Sequence, residues 1–115
     1  MSDIIYKIVP AALWAEAEPA GVFGGAAIDL TDGYIHFSTA QQSKRTAELY
    51  FKGQDDLLLV AVDGTALGEA LKYEPSRDGD LFPHLYASLP LSAVLWKKSL
   101  VMGEDGSHAF PEDMA

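Results

Sequence analysis

Leu57-Leu58-Leu59-Val60-Ala61-Val62 is a continuous apolar run, bounded by Asp56 on one side and Asp63-Gly64 on the other. It is short for a buried helix and the right length for a strand. A strand with no polar alternation has both faces covered, so the run predicts a central strand that ends in a turn at Asp63-Gly64. Ile4-Ile5-Tyr6-Lys7-Ile8-Val9, rich in β-branched residues, reads as a first strand. Pro10 fits the first turn of a short helix through Ala11 to Ala17. Pro19, Gly21, Gly24 and Gly25 predict a loop. A Thr31-Asp32-Gly33 turn leads into a short strand at His36, after which Ser38 or Thr39 can cap a helix from about Ala40 to Phe51, with Gly53 as its stop.

The second half reads as a weaker strand over Leu71–Pro75, a polar loop at Ser76–Asp80 and a last strand over Val94–Val101. Pro83 cannot donate to a ladder, so the His84 segment is expected to be an edge strand or a loop. The expected organisation is a single α+β domain over residues 1–102, followed by a polar, poorly ordered tail over 103–115.

Composition narrows the function classes. A chain of 115 residues that is 49% hydrophobic builds a core without staples, and zero cysteine removes disulfides, thiolate nucleophiles and zinc–thiolate sites together. No apolar run is long enough for a membrane span and the start lacks a signal-peptide layout, which predicts a soluble, cytoplasmic protein. The formal charge of −9, from 17 acidic and 8 basic residues, repels nucleic-acid phosphates and anionic lipid. That argues against non-specific nucleic-acid or membrane partners, while a small anionic ligand remains compatible through a local cation or a helix N-terminus. Oligomeric state is not fixed by any of these features.

The chemistry sits in two short segments. In Asp32-Gly33-Tyr34-Ile35-His36-Phe37-Ser38-Thr39, an extended backbone puts Tyr34, His36 and Ser38 on one face and Ile35 and Phe37 on the other. In Phe82-Pro83-His84-Leu85-Tyr86 the same alternation puts Phe82, His84 and Tyr86 together. Two histidines with tyrosine neighbours predict one shared polar pocket. His36 and His84 are the candidate proton-moving or ligand-gripping groups, since imidazole titrates near neutral pH. Ser38 and Thr39 are candidate ligand contacts at a helix start, or plain caps. Tyr34, Tyr86 and Trp14 are candidates for ring stacking, or for simple packing. Glu74 is a candidate carboxylate, or a solvated one, and Arg77 a candidate phosphate contact, or a partner of Asp78 or Asp80. There is no phosphate loop, dinucleotide fingerprint, serine elbow or close His-x-x-x-His pair, and no metal site is expected.

These segments carry a resemblance. With Ile5-Tyr6-Lys7-Ile8, Trp14, Gln42, Tyr50-Phe51, Leu57–Asp63 and Tyr73-Glu74, the Gly-Tyr-Ile-His-Phe-Ser and Phe-Pro-His-Leu-Tyr motifs resemble the bacterial family catalogued as domain of unknown function 952, over about Ile4 to Leu100. That family is similar in fold to the ADP-ribosyltransferase superfamily, in particular the branch with the RNA 2′-phosphotransferases. The resemblance implies an α+β fold with a bent, split β core, two or three short helices, and NAD or another nucleotide-like ligand in the cleft. It implies that His36 bonds a ribose hydroxyl and that His84 meets a second part of the ligand. The pattern departs from the superfamily where a late catalytic glutamate would stand: the last strand has Lys97-Lys98-Ser99. Three functions are compatible with these residues: an ADP-ribosyl or phosphoryl transferase, a non-catalytic ligand-binding or interaction module on the same fold, and a small hydrolase or isomerase using the two histidines as an acid/base pair.

Overall fold

The computed structural model of the protein describes residues 4–76, 79–111 and 114. It is a mixed α+β fold built on a curled antiparallel sheet. The strands are β1 (Ile4–Pro10), β2 (Val22–Phe23), β3 (Ile35–His36), β4 (Leu57–Asp63), β5 (Leu71–Pro75), β6 (Leu81–Leu85), β7 (Leu89–Pro90), β8 (Val94–Met102) and β9 (His108–Ala109). The α-helices are α1 (Ala11–Ala17), α2 (Ala27–Asp32) and α3 (Ala40–Tyr50), with 3-10 turns at Gly64–Ala70 and Leu91–Ala93.

The apolar run at residue 57 becomes β4, with β1 on one side and β8 on the other in the order β1-β4-β8-β9. Both of its faces are covered. Val60 and Val62 join Ile5, Val9, Trp14, Phe37 and Leu85 in one buried cluster. Leu57, Leu59 and Ala61 join Tyr6, Ile8 and Ala47 of α3 in another. Opposite β4, Ala61 pairs with Trp96 and Val62 with Val94, so Leu95 is an extra residue in β8; such a bulge bends and twists a sheet. The polar segment after Gly103 turns back, and β9 pairs with β8 through Val101↔Ala109 and Met102↔His108.

A second sheet runs in the order β3-β6-β5. The proline-based expectation of an edge strand or loop at His84 is overturned, because β6 is the middle strand. The physical reason lies in which side lacks a donor. The Pro83 carbonyl accepts from Phe37 N at 2.9 Å, so the side of Pro83 that has no N–H faces β3 where that two-residue strand ends. The ladder loses little there.

The two sheets are joined at one seam. Leaving β3, the chain crosses to the free edge of β1, where Tyr6 N donates to Ser38 O and Ser38 N to Tyr6 O, each at 2.8 Å. Ile35 and Phe37 enter the core, and Tyr34 and His36 face a cleft at the seam.

Thr39 then starts α3 as a capping box. Its side chain accepts from Gln42 N at 3.3 Å, and Gln42 Oε1 accepts from Thr39 N at 3.0 Å. Thr39→Ala should therefore cost about 1 kcal/mol, read as a lower urea midpoint at unchanged slope. An unchanged midpoint would show that the cap contributes nothing.

Candidate functional site

The site is built around Asp29. Lys7 occupies the middle of β1, 6% exposed, between apolar neighbours that are themselves buried. An ammonium in such a place must be matched by a carboxylate. Asp29, 2% exposed, matches it: Lys7 Nζ donates at 3.0 Å to Oδ1 and lies 2.9 Å from Oδ2. Asp29 also accepts from Ala26 N at 2.7 Å, from His36 N at 3.0 Å and from His36 Nδ1 at 2.6 Å. Burial alone would push the Asp29 carboxyl up, but His36, the Lys7 charge and the Ala26 N–H together outweigh it and pull it down to about 2. Desolvation dominates at Lys7 and lowers it below an ordinary lysine in spite of Asp29.

Two glycines make this geometry accessible. Gly25 has φ +115°, and a Cβ there would lie 2.9 Å from Asp29 Cβ, so only glycine lets the backbone pass. Gly33 closes α2 in the left-handed region, φ 86°, and turns the chain into Tyr34 and β3.

Register does the rest. Across β3 and β6, His36 pairs directly with His84, and Ile35 with Leu85. Neighbours across a pair share a face, so both imidazoles point the same way, with ring centres 5.5 Å apart. Tyr34 packs on both, 4.6 Å from His36 and stacked on His84 at 4.1 Å and 28°. Each histidine has its carboxylate. His36 Nε2 lies 2.9 Å from Asp32 Oδ2 as well as holding Asp29 through Nδ1. His84 Nδ1 donates to Glu74 Oε1 at 2.9 Å, and Tyr86 OH donates to the same oxygen at 2.6 Å. That contact pushes the Tyr86 phenol up to about 12, and the Tyr86 and His84 contacts lower Glu74. Desolvation, then the charges of Asp32 and Glu74, raise the Tyr34 phenol.

The cleft has a volume of about 600 Å³, and Tyr34, His36, His84, Ser38, Phe82 and Tyr50 are among its walls. Tyr86, exposed and outside the cleft lining, meets Tyr34 at 5.2 Å. Ser38, buried, lines the cleft and shares a 3.2 Å hydrogen bond with Thr46. Glu74, a candidate carboxylate or a solvated one by sequence, joins the cluster through His84.

Two expected stackers or contacts lie elsewhere. Trp14 is 2% exposed and packs on Phe23 at 5.3 Å in the core, so it is a core residue and not a cleft wall. Thr39 is spent on the α3 cap. Arg77 falls outside the described residues. A second concavity of about 550 Å³, lined by Lys44, Arg45, Lys52 and His108, shares no lining residue with the first. His108 there sits 2.7 Å from the Gln54 carbonyl through Nε2. Among the described residues no group of three or more His, Asp or Glu is arranged to hold a metal ion.

Sequence reasoning missed Lys7, Asp29 and Asp32. The available signal was Lys7 itself, a charged residue inside an otherwise apolar strand.

Fold and site together define a small α+β protein with a curled antiparallel sheet and a cleft carrying two histidine–carboxylate pairs. Residues 8–97 match the family model described as protein of unknown function (DUF952). The chain belongs to that family. It is similar to protein CC0527 from Caulobacter crescentus, in an X-ray structure at 45% identity and TM-score 0.89, covering 92% of this chain and 93% of that one. The solution NMR structure of CC0527 gives 46% identity and TM-score 0.82, covering 91% and 90%. A comparison with curated proteins finds no match. Among the described residues no helix is long and apolar enough to cross a membrane.

Asp29→Asn strands the Lys7 charge in the interior, and should cost roughly 3–5 kcal/mol in denaturation experiments. Because folding depresses the Asp29 carboxyl from 3.8 to about 2, its stabilisation is complete above the unfolded value and is lost as pH falls through the folded one. Acidification from about pH 5 to pH 2 should remove roughly 2 kcal/mol through this group. The Asn variant should lack that component; equal acid slopes in both proteins would contradict the assignment.

Proposed function

We propose that this is a cytoplasmic small-molecule-binding protein whose cleft takes a nucleotide-like ligand, with a planar, positively charged ring seated against Tyr34. NAD, which the resemblance implied, carries such a ring in its nicotinamide. The observation that supports this reading is the pairing of His36 with His84 under one tyrosine ring, with carboxylates behind both. Asp29, Asp32 and Glu74 stand against two lysines, Lys7, held by Asp29, and Lys72, whose charge acts on Glu74, which leaves the carboxylates in excess around the tyrosine; beside desolvation, the Asp32 and Glu74 charges raise its phenol. An aromatic face in a negative field favours a cation. Asp32, at 37% side-chain exposure, stands at the solvent edge and can turn toward a ligand.

The charge distribution also favours one end of NAD over the other. Among the described residues that line the cleft, Lys7 is the only lysine or arginine, and Asp29 holds it. A pyrophosphate would find no free lysine or arginine among those residues, which favours the nicotinamide riboside end. For His36 to bond a ribose hydroxyl, its Nε2 exchanges Asp32 for the ligand. Asp32 is partly solvated, so this exchange costs little.

Titration calorimetry with nicotinamide riboside, NAD and ADP-ribose tests the reading. Saturable heat is expected from the two nicotinamide compounds, with ADP-ribose weaker. Tyr34→Ala should weaken binding roughly two- to tenfold, the worth of about 0.5–1.5 kcal/mol for one aromatic contact. No heat from any of the three at millimolar concentration, with folded protein, would overturn it.

A further inference from the structure

His36 and His84 face the same cleft in opposite hydrogen-bonding states. Both ring nitrogens of His36 meet carboxylate oxygens, Asp29 at 2.6 Å and Asp32 at 2.9 Å. Carboxylates only accept, so both contacts are hydrogen bonds when the ring carries both protons. Such a ring has no lone pair to offer. His84 meets one carboxylate only. Its Nδ1 lies 2.9 Å from Glu74 Oε1, an acceptor, so a neutral ring there carries its proton on Nδ1 and its lone pair on Nε2. His84 Nε2 has no partner among the described residues, and it is not sealed from the cleft. The one sealed and unpartnered side-chain nitrogen or oxygen among them is Trp14 Nε1. Tyr34, stacked on the His84 ring, resists a flip that would exchange the nitrogens. Tyr86 OH holds the same Glu74 oxygen at 2.6 Å, so the carboxylate is pinned between phenol and imidazole.

We propose that His84 is the proton acceptor of this cleft, with Glu74 and Tyr86 as its positioning residues, and that it acts on a hydroxyl (water or a sugar hydroxyl) brought beside Nε2. The proposal rests on the reading that the cleft holds a small molecule, and names the chemistry at that site. In the step, the O–H bond breaks and its electron pair stays on oxygen. The proton bonds to Nε2, and the positive charge on the ring is balanced by Glu74. The oxygen is left as a nucleophile inside the cleft. His36, whose two nitrogens both face carboxylates, serves as a donor opposite the acceptor. The two histidines therefore divide the work, His84 accepting and His36 donating.

The tautomer of His84 tests this without any ligand, so its failure is distinguishable from failure of the nucleotide reading. Long-range nitrogen–proton correlation spectra of the nitrogen-15-labelled protein at about pH 9, above the ordinary imidazole range, report which nitrogen carries the proton. His84→Gln assigns the signals. The expected result is a protonated Nδ1 and an unprotonated Nε2 at His84. Glu74→Ala should lose this fixed tautomer while the amide spectrum stays folded, and Tyr86→Phe should retain it with more exchange. A His84 proton on Nε2, or a tautomer that ignores Glu74→Ala, would overturn the proposal. Once a turnover is found, His84→Ala should lower its rate at least about 100-fold, the usual worth of a general base; a smaller loss contradicts the role.

Discussion

Lys7 puts a charge where β1 is otherwise apolar, and a folded interior cannot hold an ammonium without a matched carboxylate. That requirement dictates much of what surrounds the cleft. It orients α2 so that Asp29 points inward while Ile28 and Leu30 face outward at 57% and 71% exposure, the reverse of an ordinary amphipathic helix. It forces glycine at position 25, where any side chain would strike Asp29. Because Asp29 also takes the backbone and ring N–H groups of His36, the buried ion pair fixes the start of β3. One interior charge thus sets a helix, a turn and a candidate functional side chain.

The cleft follows from how β3 changes partners. For two residues it pairs with β6, which aligns His36 with His84, and at Ser38 it passes to the edge of β1. A chain that moves between sheets opens a gap between them, and the side chains at the crossing line that gap. The core faces of the same residues, Ile35 and Phe37, anchor the crossing. Paired strands therefore carry His36 and His84, with Tyr34 in the bend just before β3, which suits a site whose rings must meet within ordinary stacking distance.

Much of this was legible in the sequence. The unbroken apolar run at residue 57 marked the central strand, and period-two alternation sorted Tyr34 and His36 from Ile35 and Phe37. The convergence of two remote histidine segments also followed from their shared pattern. What was hidden depended on tertiary context. The Gly-rich stretch read as a loop contains β2, and the approach to the Thr31-Asp32-Gly33 turn is α2, because a six-residue helix that buries its aspartate carries no periodic signal. Pro83 misled, since a proline is tolerated in a middle strand when its missing donor falls at the end of a short neighbour. Trp14 and Thr39 have chemistry suited to a site, but packing uses one as core and the other as a cap. The pairing of Glu74 with His84 depends on β5–β6 register, where Lys72 lies opposite His84, and no local pattern encodes it.

If the Lys7–Asp29 pair is the hinge of this architecture, its two members act as one unit. A double-mutant cycle with Lys7→Met and Asp29→Asn measures that directly through denaturation free energies. The expected outcome is strong non-additivity. The double variant should be more stable than Asp29→Asn alone, with a coupling energy of about 0.5–3 kcal/mol, because removing the ammonium relieves the stranded charge. Losses that simply sum, to within about 0.5 kcal/mol, would contradict the account.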